Sequence, residues 1–104
     1  MTKEDMMLEL DRLKAQMESL EETRRTTIKQ IIIVMNAMQT AMQKEDYETL
    51  HTCFSQADML QKQADIVVQM IDNVKADTRK LCVTIYGPAG GIIYDSIMKK
   101  WEGS

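Results

Sequence analysis

Apolar residues in the first part of the chain recur in alternating steps of four and three: Met6, Leu10, Leu13, Met17 and Leu20. The same phase continues through Arg24 and Thr27 to Ile31, Val34, Met38 and Ala41. Such steps keep side chains on one side of an α-helix, so this is a heptad seam with a single polar interruption. The spacing predicts a helix over residues 3–43, roughly 60 Å long at 1.5 Å per residue. Thr2, or the acidic residues Glu4 and Asp5, suits its start, where the helix dipole favours negative charge. Its weak point is the run TRRTT at Thr23–Thr27, because β-branched threonines lower helix propensity. The unbroken phase across that run favours one helix; the competing arrangement splits it there into two.

A second seam follows, through Leu50, Phe54, Ala57, Leu60, Ala64, Val67, Ile71, Val74, Thr78 and Leu81. It predicts a helix over residues 47–83. The intervening residues 44–47 read as a turn, with Asp46 placed to cap the second helix through its carboxylate. Two long helices joined by a short turn lie antiparallel. With the turn centred near Asp46, facing residues have numbers summing to about 91. Val34 then faces Ala57, Ile31 faces Leu60, Leu20 faces Ile71, Met17 faces Val74 and Leu10 faces Leu81. The polar pair Arg24 and Thr27 falls opposite Ala64 and Val67, where an arginine stem packs while its head reaches water. After a Gly/Pro loop at residues 86–91, Ile92, Ile93, Ile97, Met98 and Trp101 predict a short helix over 92–102, with Lys99 and Lys100 favourable at its C-terminal end.

The fold expected is therefore all-α: a long antiparallel, coiled-coil-like hairpin plus a short C-terminal helix, forming one helical domain over residues 1–104 and packing as an oligomeric bundle. Composition agrees with helix. The single proline, Pro88, and three of the four glycines lie between Gly87 and Gly91, so the chain as far as Tyr86 lacks both strong helix breakers. No stretch alternates long enough to predict a strand.

The oligomer follows from a surplus of apolar positions. The segment QIIIVMNAMQT, Gln30–Thr40, carries no charge. Its seam uses only Ile31, Val34 and Met38. A second stripe, Ile28, Ile32, Met35 and Met42, is left over at helical spacing, widened by Ile33 and Ala37. The second helix has a surplus of its own at Met59, Ile66, Val68 and Met70. A hairpin buries one face of each helix, so these stripes need another cover. The short tail helix reaches only one end. A second copy of the chain is the expected cover, with Ile28, Ile32, Met35, Met42, Met59, Ile66, Met70, Ile97 and Trp101 as interface residues. The ten methionines of the chain are read as flexible core filler, with an adaptable surface for partner helices as the functional alternative.

Charge narrows the partners. The 104 residues carry a formal charge of -3 with acids and bases interleaved, which disfavours nucleic acid as a partner, since phosphate binding needs a clustered basic face. The N-terminus MTKEDMMLEL has no signal-peptide core, and no run reads as long and apolar enough for a bilayer, so a cytoplasmic location is expected and a membrane is not. Catalysis is not expected either. His51 stands beside Thr52 and Cys53, but neighbours two apart on a helix do not face each other. Cys53 and Cys82 are roughly 43 Å apart if on one helix, too far to pair, and no metal or cofactor set is visible. One segment could hold a ligand: YGPAGGIIYDS, a glycine loop entering a helix, with Tyr86, Gly87, Gly90, Gly91 and Tyr94 as its residues. The expected function is protein–protein interaction, as an adaptor, inhibitor, chaperone-like or assembly factor. A small-molecule or nucleotide-binding oligomer using that loop is the alternative.

Overall fold

Helix α1 (Lys3–Gln43) opens on a reciprocal cap. The Asp5 amide donates to Thr2 Oγ1 at 3.1 Å, and the Thr2 amide donates to Asp5 Oδ2 at 3.2 Å. Two backbone donors that have no partner within the helix are thereby satisfied. The computed structural model describes residues 2–102, and α1 is followed by α2 (Tyr47–Tyr86), a 3-10 turn (Gly87–Ala89) and α3 (Gly90–Glu102). The described residues contain no strand, and α1 packs against α2 as an all-α helical hairpin.

The turn between α1 and α2 is closed by backbone geometry. Glu45 adopts the left-handed conformation with φ 55°. The Asp46 amide donates to the Ala41 carbonyl at 2.9 Å and the Glu45 amide to the Met42 carbonyl at 3.2 Å, so the last carbonyls of α1 are used. Asp46 then caps α2. Its Oδ1 accepts the Thr49 amide at 3.1 Å and its Oδ2 the Thr49 hydroxyl at 2.6 Å. These bonds, the hydroxyl foremost, hold the Asp46 carboxyl below its ordinary range.

Helix α1 runs without a break through Thr23–Thr27. Thr27 is buried, and its hydroxyl donates to the Thr23 carbonyl at 2.9 Å. That bond removes the cost of an unsatisfied buried hydroxyl.

The chain divides into two compact units, Met1–Glu21 with Met70–Ser104, and Glu22–Gln69. The first is a three-helix arrangement. Leu10, Leu13 and Met17 of α1 are buried with Ile71, Val74, Thr78 and Cys82 of α2 and Met98 of α3. Thr78, fully buried, donates its hydroxyl to the Val74 carbonyl at 2.7 Å. Helix α2 extends three residues past Val83, and the loop expected over 86–91 shortens to the turn Gly87–Ala89, so α3 begins two residues before Ile92. The chemistry of the turn explains this. Gly87 takes φ 62°, a conformation cheap only for glycine, and Pro88 sits in the first turn, where its missing N–H is no loss. Helix α3 folds back along α2, and Lys75 pairs with Glu102 at 2.8 Å, which raises the lysine's pKa. The return demands close approach at Gly90: a Cβ there would lie 2.5 Å from Val83 Cα.

The second unit has two helical segments and no third. Its buried positions are Thr27 and Ala41 on α1 and Cys53 and Val67 on α2.

These contacts set three expectations. Gly90→Ala forces α2 and α3 apart and is expected to cost about 1–3 kcal/mol in urea unfolding. Gly91→Ala, which meets nothing within 4 Å, is expected to be neutral or stabilising by up to about 1 kcal/mol. Equal effects at both positions would contradict the close crossing. Asp46→Ala is expected to lower the melting temperature at neutral pH. Because the folded pKa is depressed, the carboxylate's contribution is present above the unfolded pKa and lost as pH falls through the folded one. The difference between wild type and variant should therefore shrink below pH about 4.

Candidate interaction surface

In a helix each residue advances by about 100°, so exposure can be mapped from the buried seam outward. On α1 of the second unit the seam is Thr27 and Ala41. Measured from Ala41, Ile33 stands about 80° to one side; Ile28, Met35 and Met42 stand about 100–140° to the other, and Ile32 points away. On α2, Met59 and Ile66 stand about 120–140° from buried Cys53 on one side, Phe54 and Val68 about 60–100° on the other. The two-helix unit therefore has an apolar flank on each side.

One flank is a groove of about 710 Å³. Ile33 and Val34 of α1 and Met59, Leu60 and Ile66 of α2 supply its apolar lining, and Gln30, Gln56, Lys62 and Gln63 the polar part. Ile33, Met59 and Ile66 are 66%, 71% and 59% exposed. The groove thus joins two expected interface residues, Met59 and Ile66, to Ile33. Ile28, Ile32, Met35 and Met42 are exposed but do not line it. Met70 is exposed in the first unit, where α3 leaves Ile97 and Trp101 half-buried. Sequence reasoning counted Ile33 only as a widening of the Ile32 stripe. Its correct partners were readable: Gln30, Ile33 and Ala37 form their own line at steps of three and four.

The two units differ in how much apolar surface stays uncovered. Among the described residues, ten of the fifteen large exposed apolar side chains fall in the second unit: Ile28, Ile32, Ile33, Met35, Met42, Tyr47, Phe54, Met59, Ile66 and Val68. Only Met7, Leu8, Met70, Val83 and Ile92 are exposed in the first, where a third helix packs. The electrostatics of the groove are nearly neutral. No residue of α1 between Lys29 and Lys44 is charged. The one charged lining residue, Lys62, lies 3.0 Å from Asp58, an exposed i,i+4 pair of small energetic weight.

The residues considered for other chemistry are dispersed. His51 is exposed on α2, and Cys53 and Cys82 are buried free thiols. Burial pushes the Cys82 thiol up, away from the reactive thiolate. Among the described residues no three His, Cys, Asp or Glu side chains are grouped to hold a metal. In the glycine segment, the Gly90 amide donates to the Gly87 carbonyl and Gly90 is buried against α2, so it serves packing. Tyr86 Oη lies 3.9 Å from Met7 Sδ, and burial raises the Tyr94 pKa.

The expectation about bilayer-length runs needs correction. Tyr47–Glu102 taken as one stretch is long and apolar enough to cross a membrane by length and composition, a test that the core helix of a soluble protein also passes. Sequence scanning missed it because the stretch continues through the Gly-Pro turn. In the fold that turn divides it into α2 and a back-folded α3. Compared with known proteins, the chain matches no family model, no curated protein and no solved structure.

The thiols give a direct check on this picture. Neither cysteine is expected to react with a thiol reagent such as DTNB in the native protein, and both should react fully once urea unfolds it. Fast labelling of Cys82 under native conditions would contradict its place in the core.

Proposed function

We propose that this chain is a non-catalytic protein–protein interaction module that self-associates as a helical bundle and serves as an adaptor, inhibitor, chaperone-like or assembly factor. The observation that carries the reading is the uncovered apolar surface of the second unit. Its ten large side chains are 42–71% exposed. Full burial of one such side chain contributes about 1.5–3 kcal/mol, so covering the exposed parts of all ten is worth roughly 6–20 kcal/mol. That is comparable with the whole stability of a domain, about 5–15 kcal/mol. A surface of this weight is used for association.

The balanced charge supports protein rather than nucleic-acid partners.

Sedimentation velocity or light scattering on the purified chain tests the proposal. The expected mass is at least twice the 12.0 kDa of one chain. A single-copy particle at micromolar concentration would sink the self-association reading.

A further inference from the structure

We infer that the groove lined by Ile33, Met59 and Ile66 is the face on which a second copy of this chain docks, by a two-fold contact between the second units of the two copies. The inference rests on the self-association reading above and goes further: it selects one of two apolar flanks and fixes the symmetry of the contact.

The first argument is charge. In a two-fold contact the same patch meets itself, so any group on the patch faces a copy of its own kind of surface. A patch with one sign of charge opposes itself under that operation. The groove avoids this. Its polar positions Gln30, Gln56 and Gln63 are amides, each with donors and an acceptor, so identical surfaces can satisfy each other. Its single cation, Lys62, is already paired with Asp58 on the same helix at 3.0 Å. Helix α1 brings no charge at all between Lys29 and Lys44. The lining of the groove therefore contains no ion without a partner.

The second argument is the contrast with the opposite flank. There α2 places the Asp65 carboxylate, bonded to the Gln61 amide at 3.1 Å, about 120° from the buried Cys53 position on the side of Phe54. A two-fold contact on that side brings the Asp65 carboxylates of two copies toward each other. That flank, with Ile28, Met35 and Met42, is the poorer self-contact.

The third argument is composition. An interface core is a cluster of large apolar side chains ringed by polar groups that exclude water. Three side chains exposed by 59–71% and flanked by amides form such a cluster. Two-fold symmetry doubles it, so six large side chains leave water in one contact.

Mass in solution, read by sedimentation velocity on full-length variants with circular dichroism as the folding control, tests the assignment. Ile33→Glu and Met59→Glu, each on an exposed groove position, are expected to reduce a two-copy wild type to one copy while keeping its helicity. Ile28→Glu and Met35→Glu, on the other flank, are expected to leave two copies. Groove variants that keep the wild-type mass, or flank variants that fall to one copy, would overturn the groove as the self-contact while leaving self-association intact. A wild type that is already a single copy would remove both.

Discussion

A pair of packed helices can hide only one stripe of each from water, and that limit organises this protein. Each helix of about 40 residues carries a seam toward its partner, and each carries more apolar side chains than the seam can hold. The surplus must be covered by a third element or stay exposed. Both outcomes occur in the same chain. In the first unit α3 supplies the third element, and Leu13, Thr78 and Cys82 become almost fully inaccessible. The second unit has no such element, and its flanks remain open.

The third helix comes at a geometric cost that one residue absorbs. For α3 to return along α2, the two backbones must meet at Gly90, where no side chain fits against Val83. Gly87 reverses the chain direction just before. Of the glycines in this segment, Gly90 is therefore the one committed to packing.

Much of this was legible in the sequence, and the reasons are physical. Periodicity fixed both long helices, because a seam of three-and-four steps over many turns has few alternative explanations, and Asp46 marked the start of α2 because a short carboxylate before a helix has one dominant use. What escaped was set by tertiary contact. The bounds of the turn at Gly87–Ala89 depend on how closely α3 approaches α2, which periodicity does not encode. The division of the surplus into two flanks depends on which side of the seam each residue lies. Ile32 and Ile33 are neighbours in sequence yet about 100° apart around the helix. Grouping them as one stripe hid the groove.

The methionines show what kind of surface results. Met17 and Met98 lie in the core, as gap-filling side chains do. Met7, Met35, Met42, Met59 and Met70 instead stand exposed. An unbranched thioether adjusts its shape to whatever covers it, whereas the β-branched isoleucines beside it hold theirs. In the groove these two kinds sit together: Ile33 and Ile66 give fixed contours and Met59 an adjustable one. A face built this way keeps a preferred partner while tolerating small differences in how that partner seats. That adaptability is the property the proposed self-contact calls for.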